Sequence, residues 1–321
     1  MTRVSTYQQS QSLLLDMLNS QTKAAKANTQ VNTGHVAEFY KDIYQDTSSL
    51  AGSKSLLAKL EQHKENDALV FSQLAAYDQA LGGMESAATD LKEAVMGAIN
   101  ASTSLGFDAA VEGAFDTILG FMNSQNTEGY LFAGSKRDVA PINITEMSDL
   151  LTALEPPTDI YSNDNLKRSV RIDENRVLET GVLADEASLE VMTAIQRIAL
   201  WQNGTLPTTA PIPTGPAGPL STPLSISDQE FLINEISNLE NLVRDLGEAR
   251  GHNGLNQKVV EKTMTSIDVQ ITQTKIFISD IEDVDAAEAI VNLNQANFAL
   301  DASMNVLSQL NRTSLLNYLP V

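Results

Sequence analysis

Residues 70–98 read VFSQLAAYDQALGGMESAATDLKEAVMGA. Within them Val70, Leu74, Tyr77, Leu81, Met84, Ala88, Leu91, Val95 and Ala98 alternate steps of four and three without a break. Apolar residues at that spacing form one stripe along a helix, and a stripe of period 3.5 is a seam for a second helix. Upstream, Leu56 and Leu60 share the phase, so the spacing predicts a helix that begins near Ser53. Gly82 and Gly83 lie inside it. Two glycines cost about 2 kcal/mol of helix propensity, so packing must offset them.

A matching seam lies near the other end of the chain. Leu232, Ile236, Leu239, Val243 and Leu246 step four-three, and Val260, Met264, Ile267, Ile271, Thr274, Ile278 and Ile281 continue the phase. Arg250, Asn253 and Gln257 are polar residues on the same seam, and Ser227 or Asp228 is the expected cap. Between the two seams a shorter helix is expected from Asp108 as N-cap through Val111, Phe115, Ile118 and Met122. The Gly129–Gly134 run reads as a short strand. Leu166, Val170 and Ile172 share one face of a second strand, Asp173-Glu174-Asn175 is a turn, and 177–182 is the return strand. A helix through Leu189, Met192, Ile195 and Ala199 follows, then a proline-rich loop at 207–223.

The ends are weaker. Residues 5–33 carry few apolar positions: Leu14, Leu15, Leu18, Ala24, Ala25, Ala27 and Val31. After a phase slip at Ile281–Asp285, a final seam runs Ala286, Ile290, Leu293, Asn297, Leu300, Met304 and Leu307, and the chain ends on Leu315, Leu316, Tyr318 and Leu319. Each terminal helix is too polar to recover the entropy of its own ordering, so both are expected to fold on assembly. The candidate assembly interface is Leu14, Leu18, Ile290, Leu293, Leu300, Met304, Leu307, Leu315 and Leu316.

This pattern gives a mainly α fold: a long antiparallel helical bundle or coiled coil built from both chain ends, with a small β-containing insert at the tip. The expected division is 1–40 with 282–321 as terminal assembly helices, 41–128 with 226–281 as a helical core, and 129–225 as the insert.

Chemistry is hard to find in the sequence. The net charge of −20 disfavours nucleic acid and anionic membranes as partners. No cysteine is present, which removes thiol nucleophiles, disulfides and cysteine metal sites. His35, His63 and His252 lie far apart in sequence and read as surface or interface histidines. Glu282, Asp283, Asp285 and Glu288 form an acidic cluster without the glycine turn of a calcium loop, so they read as the start of a helix. No phosphate-binding loop, dinucleotide fingerprint, nucleophile elbow or zinc-protease helix occurs. The expectation is a structural protein with no cofactor and no enzymatic activity. Neither a cleavable signal nor an apolar run long enough for a membrane helix is visible.

With helices at both ends, the chain resembles the flagellin superfamily. The segment Glu128-Gly129-Tyr130-Leu131-Phe132-Ala133-Gly134-Ser135-Lys136, followed by Ala140-Pro141, is similar to the Tyr-x-Phe-x-Gly segment of the hook-associated protein 3 family. Val170–Asn175 and Val182–Asp185 resemble that family's β-containing insert, and Leu315–Leu319 its apolar tail. Asn32-Thr33-Gly34 stands where the family carries Ser-Thr-Gly, but His35–Tyr40 departs from its basic, proline-containing turn. The resemblance implies a structural subunit at the junction between hook and filament of a bacterial flagellum. Its implied partners are a ring of its own copies, the proximal hook-associated protein, flagellin and a cytoplasmic export chaperone. It also implies an extracellular location, reached through the flagellar type III apparatus without signal cleavage. A flagellin that forms the filament itself is the alternative.

Overall fold

The structure, a computed structural model, describes residues 2–173, 176–203 and 222–312. The helices are α1 (Thr2–Thr33), α2 (Thr47–Ala101), α3 (Phe107–Met122), α4 (Met147–Thr152), α5 (Ala184–Gln202), α6 (Ile226–Glu282) and α7 (Ala286–Arg312). Two short 3-10 helices, Tyr40–Ile43 and Thr158–Ile160, and two small antiparallel hairpins complete the described elements: β1 (Gln125–Asn126) with β2 (Gly129–Tyr130), and β3 (Ser169–Asp173) with β4 (Arg176–Glu179). The chain divides into two compact units, one of Met1–Gln62 with Asp268–Val321 and one of His63–Ile267. Expectations for residues 174–175, for 207–221 of the proline-rich loop, and for Leu315, Leu316 and the rest of the tail lie outside the described residues.

In the His63–Ile267 unit every apolar position of the 70–98 seam is buried. From α6, Leu232, Leu239, Leu246, Val260 and Ile267 are buried as well. The two helices run antiparallel. Asn253 Nδ2 and Gln257 Nε2 both donate to the Leu74 carbonyl, at 2.8 and 3.1 Å, while Arg250 reaches Asp78 at 3.4 Å and Glu85 at 2.7 Å. The glycines follow from this contact. A Cβ on Gly82 would press on the Arg250 guanidinium at 3.3 Å, and one on Gly83 would lie 2.1 Å from the Phe121 ring. Gly83 therefore admits an aromatic ring against the helix backbone, which offsets its propensity cost.

The rest of the unit packs on this pair. α5 packs against α3 and α4 and is buried on nearly every side, with Trp201 stacked on Phe231 at 4.4 Å and donating from Nε1 to Asp228. The glycine-aromatic segment is a buried plug rather than a full strand. Only Gly129 and Tyr130 pair, whereas Leu131, Phe132 and Ala133 are buried. Their polar groups are met one at a time: Tyr77 Oη donates to the Leu131 carbonyl at 2.6 Å, and Ala184 N donates to the Phe132 carbonyl at 3.0 Å. At its edge Glu128 is held by Arg168 and Arg137, which bring its carboxyl down to about 2.

Several boundaries differ from the sequence expectation. α2 starts at Thr47, and the seam shifts by one residue near Leu57, which is half-buried, while Leu56 is exposed. Two successive three-residue steps, Leu57 to Leu60 and onward to His63, overwind the stripe locally. Gly106, not Asp108, holds the cap position of α3. α6 is capped by Ser225: its Oγ accepts from Asp228 N at 3.1 Å and its own N donates back to the Asp228 carboxylate at 3.0 Å. Leu166 is exposed outside β3, because the strand begins at Ser169 and a bulge between Arg171 and Asp173 resets its register.

Two substitutions separate packing from propensity. Gly83→Ala should destabilise the chain by about 1–3 kcal/mol through overpacking on Phe121. Gly97→Ala, where a Cβ meets nothing within 4 Å, should stabilise it by about 0.5–1 kcal/mol. Chemical denaturation of both variants checks this.

Candidate assembly interface

α1 and α7 belong to the other unit and pack on each other along their length. Their entry is fixed by a backbone bridge. Val36 N donates to the Glu282 carbonyl at 2.8 Å, and Val284 N donates to the Gly34 carbonyl at 2.9 Å. Gly34 makes the turn at φ +75°, a conformation open to glycine at little cost. The Gln30 amide donates to the Val36 carbonyl at 2.8 Å, closing the turn onto α1. Lys54 meets Glu282 at 2.7 Å, and this partner raises the lysine's pKa. His35 lies 3.4 Å from Asp283, but both side chains are about half exposed, so the pair contributes little. Asp285 caps α7, its carboxylate accepting from Ala287 N at 2.8 Å and Glu288 N at 3.2 Å. Of the acidic cluster read as a helix start, Asp285 and Glu288 do lie at the start of α7, whereas Glu282 ends α6 and Asp283 lies between the two helices.

The bridge sets α1 and α7 antiparallel, and burial shows which faces meet. On α1 the shielded positions are Leu13, Met17, Ser20, Ala24, Ala27 and Val31. On α7 they are Ala289, Leu293, Ala296, Leu300, Ser303 and Leu307. Both stripes step four-three-four-three-four. Each mixes long side chains with alanine and serine, which lets the backbones approach closely.

This phase differs from the one read in the sequence. Of the candidate residues, Leu293, Leu300 and Leu307 lie half-buried on the stripe between α1 and α7. Leu14, Leu18, Ile290 and Met304 do not: they are 47%, 45%, 47% and 47% exposed. The α1–α7 contact inside one chain is thus made through Leu13 and Met17, not through Leu14 and Leu18. The sequence reading followed the largest apolar residues, and the pairing follows the small ones. Leu15, Val291, Phe298 and Val306 join the exposed set, Phe298 being 76% exposed. Each terminal helix therefore also carries large apolar side chains with no cover within the described chain.

Among the described residues no group of three or more His, Cys, Asp or Glu side chains is placed to hold a metal ion, and no helix is long and apolar enough to cross a membrane. The two faces should respond differently to truncation. Leu300→Ala should weaken the α1–α7 pair by about 1–2 kcal/mol, below the range for a fully buried leucine, and speed hydrogen exchange in both helices of the monomer. Phe298→Ala should leave that exchange unchanged.

Residues 236–319 match the bacterial flagellin C-terminal helical region. No curated protein matches the sequence. The fold is similar to that of a chain described as a flagellar hook-associated protein of Vibrio parahaemolyticus, with 14% identity, a TM-score of 0.58, and coverage of 75% of this chain and 100% of that one. It is also similar to FlgL of Bacillus cereus, with 12% identity, a TM-score of 0.54, and coverage of 71% and 98%. The matched region spans most of α6 and all of α7, so the C-terminal helix of the pair described above is part of it. The C-terminal part of the chain is thus similar to the flagellin C-terminal helical region, and the fold as a whole is similar to that of the two flagellar chains.

Proposed function

We propose that the chain is the junction subunit between the flagellar hook and the filament. The observation that carries this reading is the Glu128–Ser135 segment, which is buried against α2 and the start of α5 beside a β-containing insert, in a chain whose C-terminal part matches the flagellin C-terminal region. The names of the two structural neighbours support it. In this reading 1–40 and 282–321 build the inner tube, 41–128 and 226–281 the helical shaft, and 129–225 the insert. The uncovered face of α1 and α7, through Leu14, Leu18, Ile290, Phe298 and Met304, meets neighbouring subunits in a ring. Leu293, Leu300 and Leu307 support that face from within, and Leu315 and Leu316 of the tail take part in the same assembly interface. The ring joins the proximal hook-associated protein to flagellin. The subunit leaves the cell through the flagellar type III apparatus, uncleaved, with its C-terminal helix held by a chaperone.

The match to the flagellin C-terminal region favours a second reading, a flagellin that forms the filament itself. Gene deletion with electron microscopy separates the two. A junction subunit leaves hooks in place, no filaments, and flagellin monomers in the medium. Filaments of normal length on the deletion strain would contradict the junction role. Immunogold label along the whole filament would favour the flagellin reading.

The interface itself is tested by Phe298→Asp. A charge on a contact that becomes buried is strongly unfavourable. The variant should keep the melting temperature of the monomer, appear in the culture medium and fail to assemble. Normal swimming by this variant would contradict the proposed face.

A further inference from the structure

The β3–β4 hairpin rests on the α2–α6 pair through a small apolar layer. Val70 and Leu74 of α2, Ile172 of β3 and Val260 of α6 are buried together, with Val170, Leu178, Val259 and Met264 packed against them. One turn below Val70 the seam position is not apolar. It is Asp67, 0% exposed. Neither carboxylate oxygen has a hydrogen-bond partner among the described residues. The other buried acids of this unit have partners, Glu235 meeting Arg197 at 2.9 Å and Asp228 accepting from Trp201 Nε1 at 3.1 Å, so an unpartnered carboxylate is not the rule here.

A buried carboxylate without a partner strongly disfavours its charged form. Two ionisable groups act on Asp67 besides its burial. His63, one turn back on α2, favours the charged form, and Asp173 at the end of β3 opposes it. Among the described residues, no charged side chain of α6 or β4 is one of the influences on it. Burial is the largest influence and brings the carboxyl up to about 6.

We propose that Asp67 is a proton-operated latch between the helix pair and the β3–β4 hairpin. With its proton on, the carboxyl is neutral beside the apolar layer and the hairpin stays docked. Ionised, it draws water toward that layer and loosens the docking. The direction follows from linkage. The docked carboxyl keeps its proton to higher pH than a free one, so docking is firmest below the ordinary value of 3.8 and weakens as pH rises through about 6. The latch makes attachment of part of the central insert sensitive to mildly acidic conditions.

Hydrogen exchange on the full chain tests this at the amides of Ser169–Asp173 and Arg176–Glu179, between pH 5 and pH 8, with rates corrected for intrinsic chemistry. The hairpin should open about tenfold more readily at pH 8 than at pH 5. Asp67→Asn should abolish this pH dependence. Asp67→Val should abolish it and also slow exchange at pH 8, and it serves if the asparagine variant folds poorly. His63→Gln should keep the pH dependence. A wild-type hairpin that opens equally at both pH values would overturn the proposal. So would a pH dependence that survives in both Asp67 variants, since it would then belong to His63 or Asp173.

Discussion

The antiparallel register of α2 against α6 is the constraint on which the fold depends. Apolar seams alone do not fix register, because a shift of one heptad buries nearly the same area. The polar layer does fix it. Asn253 and Gln257 both donate to the Leu74 carbonyl, and Arg250 lies across Gly82 between Asp78 and Glu85. Each satisfied amide contributes only about 1 kcal/mol, but a slipped register would strand a buried amide at a cost of about 1–3 kcal/mol. Polar groups on an otherwise apolar seam thus select one alignment, as a buried asparagine does in coiled coils.

From that alignment the smaller elements find their places. Tyr77 of α2 receives Phe132 edge-on at 5.2 Å while its hydroxyl holds the Leu131 carbonyl. The glycine-aromatic segment can then be buried without being a strand, because α2 and the start of α5 satisfy its carbonyls. The β3–β4 hairpin docks on the same two long helices further along. Sequence periodicity could not show either arrangement. An apolar run between glycines reads as a strand whether its hydrogen bonds go to a neighbouring strand or to scattered partners.

The strong seams were legible because they are long and their burial is one-sided. Every position read in 70–98 is buried. The terminal helices were legible as helices but not in phase. Each carries one pairing stripe and, outside it, large apolar residues that stay exposed. Ser20, Ala24 and Ala27 on α1, and Ala289, Ala296 and Ser303 on α7, line the stripe that pairs within the chain. Larger residues lie beside it, and a reading weighted by hydrophobicity selects those. Close approach of two backbones selects the small ones. The caps failed for a related reason: Ser225 and Asp228 cap α6 reciprocally, and the spacing alone does not say which of the two starts the helix.

The division of labour between the pairing stripe and the exposed residues is the centre of the account. The inner stripe holds α1 to α7 with modest burial, and outside it Leu14, Leu18, Ile290, Phe298 and Met304 stay exposed, the residues proposed to meet neighbouring copies. The chain has no cysteine, so single cysteines report cleanly on each face. The decisive measurement is the rate of thiol alkylation at Ala296→Cys and Phe298→Cys, in the monomer and in assembled flagella. The account predicts slow reaction at 296 in both states, and fast reaction at 298 in the monomer that becomes slow on assembly. Equal, fast reaction at 298 in both states would contradict it.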